Sequence, residues 1–470
     1  MTAQGKQDRF WRRLGLAVML ALLGLSLCYW QERTTWLDVA YQTVLMLRDG
    51  SVQVQVYRFG AAVVQALPLA GMELGASLPA VLQLYSAAFP LLYLAFFVMI
   101  AYGFKDQPMS WLLVLLYTAM VYDGFFWCTS ELQQGLGFLL VVWAFIRWRP
   151  GLDRAWHWAV LAPCAIALVF YHPLVFIPFF FIGVYLTYTM PTLRHWRTGL
   201  LALLMLAILV VKQLYLPNWY DDGKMNVFRD RLLADFPHYF SYAAYGKFFR
   251  HLWLYWWGLI VLWGVSLGWL LARRRWIEAA LVALGSAGFV VITAIGSPNA
   301  SYRFYAEVNY LPLALFAALP LCLHLLPLWG GKRWFRVAMA AFVAIRLLSI
   351  QQAAAPYTAR QAWLKNQLTE ARAAHPQARK FYLPEADAPL DLLHMSWATP
   401  YETLLLSACA HPDSAATLLI TPTPDRFSAD WGRSDVFLSE FQSFPINELP
   451  ARYFGKALEQ GSYIQARAAD

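Results

Sequence analysis

The sequence predicts an α-helical polytopic membrane protein with about eleven transmembrane helices, followed by a small extracytoplasmic α/β domain. Hydrophobic residues make up 60% of the 470 residues, only 14% are charged, and the mean hydropathy is +0.45. Apolar runs of about 20 residues, the length that crosses a bilayer core of roughly 30 Å, recur along the first 350 residues. Because soluble proteins carry about one quarter charged residues, this composition excludes an ordinary soluble enzyme and a disordered chain.

The apolar runs divide the predicted transmembrane domain, residues 1–350, into eleven spans. The pattern places them at about 13–30, 78–102, 109–126, 134–148, 157–171, 174–190, 198–216, 252–272, 277–296, 308–328 and 335–350. The runs at 134–148 and 157–171 are short, which is typical of tilted, broken or re-entrant segments. No small-x-small cleavage pattern precedes Trp30, so we expect the first run to remain in the protein.

Lys and Arg side chains predict an inner N-terminus and an outer C-terminus. Positive residues precede the first span and recur in alternate short loops, as in Lys105, Arg147, Arg154, Arg194, Arg197, Arg273, Arg275, Lys332 and Arg336. The intervening loops 122–133 and 171–174 contain none. The long loops 31–77, 217–251 and 297–308 then lie outside. We therefore expect the working face to be extracytoplasmic and the net charge of +9 to reflect membrane topology rather than nucleic-acid binding. The expected membrane is the bacterial inner membrane.

Residues 351–470 form the second predicted domain, on the outer face. They contain 10 Lys and Arg against 13 Asp and Glu, so their charge is opposite in sign to that of the rest of the chain. The pattern predicts helices at 353–374 and 401–410 and short strands at 380–383 and 417–420. A small α/β domain that packs on the outer loops follows from this alternation.

The sequence contains no GxSxG, P-loop, HExxH or CxxC motif, and its nine His residues lack metal-ligand spacing. The sequence leaves open whether the protein binds a divalent cation, and it assigns no ligands for one. The candidates for function are therefore ionisable residues at the outer ends of spans, where charge is expensive to hold.

Asp38 is the candidate general base. It follows the first span by about eight residues and begins an apolar helix, and the segment 54–72 after it has the spacing of an amphipathic helix at the membrane surface. Arg58 lies in that segment and is a candidate for binding a phosphate. The alternatives are that Asp38 is an ordinary helix N-cap and that Arg58 reaches to lipid headgroups.

Four more candidates follow in the outer loops and span ends. Asp123 and Glu131, in a loop with two acids and no base, are candidates for binding an acceptor or a sugar, although an Asp-Gly turn would also explain Asp123. His172 is a candidate sugar or phosphate donor, with a structural His as the alternative. Lys212, near the outer end of a span, either binds the donor phosphate or extends to the interface.

The last outer loop supplies three candidates. Arg303 and Glu307 are four residues apart and share one face of a predicted helix. Arg303 is a candidate for binding the donor phosphate, and Glu307 and Tyr305 for binding an acceptor or sugar. The alternative is an Arg303–Glu307 pair that only anchors the helix end, with Tyr305 in an interfacial aromatic belt.

This layout resembles the GT-C superfamily of integral-membrane glycosyltransferases. The resemblance covers most of residues 1–350 and rests on Asp38 after the first span, the segment around Arg58, the turn at 171–173 and the loop with Arg303, Tyr305 and Glu307. The paired acidic motif often found in that first loop is absent, since Glu32 and Asp38 are six residues apart.

The resemblance implies inverting transfer of a sugar from a polyprenyl-phosphate-linked donor to a glycan, lipid or protein acceptor. Asp38 would deprotonate the acceptor, and Arg58, Lys212 and Arg303 would stabilise the departing phosphate. Two other classes remain: a transporter or flippase for lipid-linked glycans, which predicts polar residues deep in several spans, and a non-catalytic envelope-assembly protein, in which Asp38 and Arg303 are dispensable. An outer-face acyltransferase or polysaccharide polymerase would share the topology.

Overall fold

The computed structural model describes residues 3–466, with side chains from residue 7 onward. Helices form most of this part of the chain. The first ten are α1 (Ala3–Cys28), α2 (Trp30–Thr34), α3 (Leu37–Asp49), α4 (Ala61–Glu73), α5 (Leu78–Val98), α6 (Gln107–Leu116), α7 (Glu131–Trp148), α8 (Ala155–Tyr171), α9 (Phe176–Thr189) and α10 (Trp196–Tyr215). The next eight are α11 (Trp219–Ala234), α12 (Ala243–Leu254), α13 (Trp257–Ala272), α14 (Trp276–Gly296), α15 (Arg303–Tyr310), α16 (Pro312–Pro320), α17 (Leu326–Trp329) and α18 (Arg333–Gln352).

Six helical segments within residues 3–466 are long and apolar enough to cross a membrane, which makes this a helical membrane protein. They are Gln7–Cys28, Leu78–Gly103, Trp196–Tyr215, Trp276–Gly296, Pro312–Trp329 and Arg333–Ala374. A seventh span forms if α12 and α13, which meet at an angle of 87°, count as one. The other predicted spans fall on shorter helices, α6 to α9, so the count of eleven stays a prediction.

Two predicted helices differ from the structure. The predicted span 109–126 is helical only to Leu116, and Asp123–Phe126 then form a 3-10 turn that folds against α15. The predicted helix 54–72 begins at Ala61, because Val56 and Tyr57 have φ angles of 45° and 58°. These left-handed angles are incompatible with a right-handed helix. Arg58 therefore lies in a turn before α4 rather than on a surface helix.

The apolar helices sort into an inner and an outer set. Every residue of α16 is buried, and this helix contacts α6, α9, α13 and α14. On α10, by contrast, Leu203, Val210 and Leu214 are exposed. Exposed apolar side chains on a long helix are what a lipid-facing position requires, so α16 lies in the centre of the bundle and α10 at its edge.

The C-terminal region combines helices with short strands, as predicted, and the strands form two small sheets. Its helices are α19 (Ala355–Ala374), α20 (Leu390–Leu393), α21 (Thr399–Ala408) and α22 (Ala451–Phe454). Its strands are β1 (Lys380–Pro384), β2 (Thr417–Thr421), β3 (Val436–Phe437), β4 (Phe444–Pro445) and β5 (Ile464–Gln465). The first sheet is parallel in the order β2-β1-β5, with Lys380 opposite Thr417, and β3 pairs with β4 antiparallel.

The hydrophobic core continues from the membrane helices into the C-terminal region. Tyr401 and Leu404 of α21 belong to the same cluster of buried side chains as Val44 of α3 and Leu315 of α16. A second, smaller cluster around Phe381 and the β1–β2 pair belongs to the C-terminal region alone. The predicted domain boundary at 350 is thus crossed by shared packing, and α3 lies where the two parts meet.

Candidate functional site

A cavity of about 430 Å³ lies between α3, α15, the loop before α7 and the C-terminal region. We call it the Asp38 cavity. Its polar lining includes Asp38, Gln42, Arg58, Glu131, His172 and Asn309. Its aromatic lining includes Tyr41, Trp127, Trp219, Tyr220, Tyr305 and Trp397. The structure therefore brings together five of the predicted site residues, from segments up to 267 positions apart: Asp38, Arg58, Glu131, His172 and Tyr305.

Asp38 lies in the first turn of α3 and faces this cavity. The N-cap position belongs to Trp36, and no side chain caps α3 there, so Asp38 is not the N-cap that the alternative interpretation required. Tyr305 donates its hydroxyl proton to Oδ2 of Asp38 across 3.4 Å. Burial raises the pKa of Asp38 to about 6, and the Tyr305 hydrogen bond opposes this shift only partly. A carboxylate poised near neutral pH suits a general base.

The residue before Asp38 has an unusual backbone conformation. Leu37 has a φ of 42°, a region in which a non-glycine residue costs of order 1–3 kcal/mol. Its N–H donates to Oε1 of Glu402, in the C-terminal region, across 2.9 Å. This hydrogen bond ties the first turn of α3 to a residue 365 positions away in sequence.

Arg58 supplies the positive charge of the Asp38 cavity. Its Nη2 donates to Oδ1 of Asp221 across 2.9 Å, and its guanidinium lies 5.1 Å from the centre of the Tyr220 ring. The side-chain amide of Asn218 donates to Oδ2 of the same Asp221 carboxylate across 3.0 Å. In the part of the chain described, the buried Nε of Arg58 has no hydrogen-bond acceptor. Arg58 is thus oriented by the protein and keeps a donor for an anionic ligand.

His172 is held as a neutral donor at the same wall. Its Nδ1 accepts the N–H of Leu174 across 3.1 Å, which leaves the ring proton on Nε2. Burial lowers the pKa of His172 well below its ordinary value, and the charges of Arg58 and Lys212 lower it further. A neutral imidazole can donate to an oxygen of a ligand without adding charge to the cavity.

Arg303, Asp123 and Glu307 are brought together, but away from the Asp38 cavity. Arg303 forms two hydrogen bonds with Asp123, through Nε and through Nη2 at 2.8 Å, and its guanidinium lies 4.0 Å from the centre of the Tyr255 ring. The hydroxyl of Tyr357 donates to Asp123 across 3.2 Å. Arg303 pairs with this carboxylate rather than with Glu307, so the alternative of an Arg303–Glu307 pair is wrong, and the phosphate contact of Arg303 stays a prediction.

Glu307 holds the turn that carries Asp123. Its carboxylate accepts the backbone N–H groups of residues 122, 123 and 124 at 2.7 to 3.0 Å, and Nε1 of Trp256 donates to it at 3.0 Å. Four donors satisfy both oxygens of a carboxylate, so Glu307 has little capacity left for a ligand. Asp123 and Glu307 therefore shape the structure around the site instead of lining the Asp38 cavity.

Lys212 also lies outside the Asp38 cavity lining. Its Nζ donates to the carbonyl of Val169 across 3.2 Å and lies 5.1 Å from the centre of the Phe170 ring. Its charge still reaches the cavity wall, because it contributes to the lowered pKa of His172. Lys212 therefore influences the Asp38 cavity through its charge only, while Arg58 lines the cavity directly.

Several lining residues had no sequence prediction. Tyr41 and Gln42 follow Asp38 by three and four positions on α3, so helical spacing would have identified them. Trp397 and Phe441 reach the cavity only because the C-terminal region folds onto α3, and no local pattern indicates that contact.

A second cavity, of about 780 Å³, adjoins the first and shares Trp219, Tyr220, Tyr305 and Asn309 with it. Its lining includes Lys224 and Arg231 of α11. Within residues 3–466, no three His, Cys, Asp or Glu side chains lie close enough together to hold a metal ion.

No family model, curated protein or solved structure matches this chain. The fold defines the class, a helical membrane protein, and the function has to be argued from the geometry of the Asp38 cavity.

Proposed function

We propose that the protein is an inverting glycosyltransferase of the GT-C type, which moves a sugar from a polyprenyl-phosphate-linked donor to an extracytoplasmic acceptor. The observation that carries the proposal is the shared cavity of Asp38 and Arg58. Within residues 3–466, Asp38 is a half-buried carboxylate that forms no ion pair, and the buried Nε of Arg58 has no acceptor. A transfer from a lipid phosphate needs one group to take a proton and another to receive an anion.

The reaction would proceed in one displacement. Asp38 takes the proton of the acceptor hydroxyl, and the acceptor oxygen attacks the anomeric carbon of the sugar. The bond from that carbon to the phosphate oxygen breaks, and the phosphate leaves with the electron pair. Arg58 donates to the phosphate oxygens as negative charge develops there, and the buried position strengthens this contact. Because the leaving group is a phosphate, no strong general acid is required.

The aromatic walls suit a sugar ring. Trp127 and Tyr305 line the cavity with ring centres 5.0 Å apart, and Trp219 and Tyr220 of α11 line it as well. Aromatic faces pack against the apolar faces of sugar rings while Glu131, Gln42 and the Nε2–H of His172 remain for hydroxyl groups. The cavity volume of about 430 Å³ is within the range of small-ligand sites.

The number of membrane crossings and the orientation of the chain are part of the proposal. With eleven crossings and an inner N-terminus, the Asp38 cavity lies at the extracytoplasmic surface of a bacterial inner membrane, where lipid-linked sugars are the available activated donors. The short helices α6 to α9 would then cross the bilayer tilted or in pairs. Acceptors in this compartment include glycans, lipids and proteins.

A lipid-linked-glycan flippase would need an open polar path through the bundle. The polar groups at the N-terminal end of α14 bond with one another instead: Glu278 bonds with Tyr185 at 2.8 Å, His324 at 2.7 Å and Arg275 at 2.9 Å. This self-contained cluster favours the transferase over the flippase.

The test is transfer of radiolabelled sugar from a polyprenyl phosphate donor to envelope acceptors by the protein in nanodiscs. Asp38→Asn should reduce the transfer rate at least 1,000-fold, on the order of the loss expected for an essential group. Asp49→Asn, at the exposed end of the same helix, is the matched control and should retain the rate. Equal transfer by the two variants would refute the general-base role of Asp38.

A further inference from the structure

The C-terminal region contains a fully buried ion pair. Arg360 of α19 donates to Glu402 of α21 through Nε to Oε2 and through Nη2 to Oε1, both at 2.8 Å. The two side chains are 2% and 1% exposed. Nη1 and Nη2 of Arg360 also donate to the carbonyls of Leu393 and Met395. Burial of two charges is expensive, so such a pair calls for a reason beyond stability.

One hydrogen bond of the pair leaves the C-terminal region. Oε1 of Glu402 accepts the N–H of Leu37 across 2.9 Å. The first N–H groups of a helix have no acceptor within the helix, and Trp36 provides no side-chain cap for α3. Glu402 therefore acts as a cap supplied from a distant segment, with its negative charge at the positive end of α3.

The same region holds α3 at two further points. The hydroxyl of Tyr41 donates to Oε1 of Gln442 across 2.9 Å, and Arg48 lies 3.5 Å from Glu448. These contacts fix the middle and the far end of α3. The contact at Leu37 is the one next to Asp38, and it supports a residue whose φ of 42° needs external stabilisation.

We infer that the Glu402–Arg360 pair positions Asp38 through the Leu37 N–H, so the C-terminal region completes the reactive site. Glu402 and Arg360 are positioning residues, since neither lines the cavity. The catalytic consequence rests on the proposed transferase function, but the positioning of Asp38 does not. A misplacement of about 1 Å at a reacting group costs on the order of 100-fold in rate.

Two double variants separate positioning from folding. Arg360→Met with Glu402→Leu removes both charges and the acceptor for the Leu37 N–H. Arg360→Met with Glu402→Gln removes the charges and keeps an oxygen that can accept this N–H. Replacement of both members of a buried pair avoids an unpaired buried charge. Arg433→Ala, which removes an exposed ion pair of the same region, is the control.

The first measurement needs no enzymatic reaction. Carbodiimide modification of Asp38 in nanodiscs, followed by peptide mass spectrometry over a pH series, reports the titration of this carboxyl. Within residues 3–466, the titratable side chains that line the Asp38 cavity with Asp38 include Tyr41, Arg58, Glu131, His172, Tyr220 and Tyr305. All of them remain in both variants. The Leu-containing variant should move the midpoint down by about one pH unit or more, towards an ordinary Asp. The Gln-containing variant and the control should keep the wild-type midpoint.

The second measurement is sugar transfer. The Leu-containing variant should lose about 30- to 100-fold in kcat with little change in the KM for the donor, and the Gln-containing variant should recover most of the loss. Equal titration midpoints and equal kcat in the two double variants would overturn the inference. If the Leu-containing variant fails to fold, Glu402→Asp, which keeps the charge pair but shortens the reach to Leu37, must show the same downward shift. No transfer by the wild type would refute the proposed function and leave the titration result valid.

Discussion

Replacement of Asp38 by Asn should stabilise the protein while it abolishes transfer. Burial raises the pKa of Asp38 from 3.8 to about 6, so the folded state disfavours the ionised carboxylate. A shift of about two units corresponds to about 3 kcal/mol at most. Because the side chain also faces an open cavity, solvent reduces this figure, and we expect a gain of about 1–2 kcal/mol for the variant at pH 8.

The sign of this effect depends on pH. A raised pKa in the folded state means that the cost of the charge is fully present above about pH 6, and that it disappears as the pH falls through 6 towards 3.8. Asp38→Asn should therefore raise the Tm at pH 8 and have little effect at pH 4. A group held for chemistry rather than for stability produces this combination of higher Tm and lost activity.

The assay is thermal unfolding of the purified protein in detergent at pH 4, 6 and 8, with Asp49→Asn as the control. Asp49 pairs with Arg48 at the surface, so its variant should change the Tm little at any of the three pH values. A lower Tm for Asp38→Asn at pH 8 would show that the carboxylate is a structural group, and the reasoning about a poised general base would be refuted.

Three further outcomes follow from the same geometry. The transfer rate should fall about tenfold for each pH unit below 6, as Asp38 becomes protonated, and a rate independent of pH between 5 and 8 would contradict its role as the base. Arg58→Ala should lower kcat by about 100- to 1,000-fold. Arg58→Lys should restore only part of this kcat, because one ammonium replaces a planar set of donors. Unchanged kinetics in Arg58→Ala would exclude the phosphate contact. Glu307→Gln should lower the Tm, because a neutral amide replaces the carboxylate that accepts four hydrogen bonds, and an unchanged Tm would show that the turn at 122–124 holds without it.

The sequence was informative wherever a residue type conflicts with its surroundings. Asp38 stands out because a carboxylate lies between an apolar span and an apolar helix, and the structure places it in a cavity. Apolar runs also located the long spans, because the bilayer imposes a length. The short helices α6 to α9 are harder to assign, since a run of 10 to 18 residues fits a broken span and a buried helix equally well.

The remaining features depend on contacts that local patterns do not encode. Arg303 and Glu307 do share a helix, but their partners in the turn at 122–124 lie 180 to 185 positions earlier, so the sequence alone could not identify those partners. The spacing around Arg58 suggested a helix, whereas the left-handed angles of Val56 and Tyr57 interrupt it. The contact of Glu402 with Leu37 arises only after the C-terminal region has packed on α3.

The position of the donor tests the account most directly. A cryo-electron microscopy structure of the Asp38→Asn variant in nanodiscs, with a polyprenyl-phosphate sugar added, should show the phosphate within hydrogen-bond distance of Arg58 and the anomeric carbon facing position 38. Donor density confined to the cavity that contains Lys224 and Arg231, or beside Arg303, would contradict the assignment of the Asp38 cavity as the reactive site.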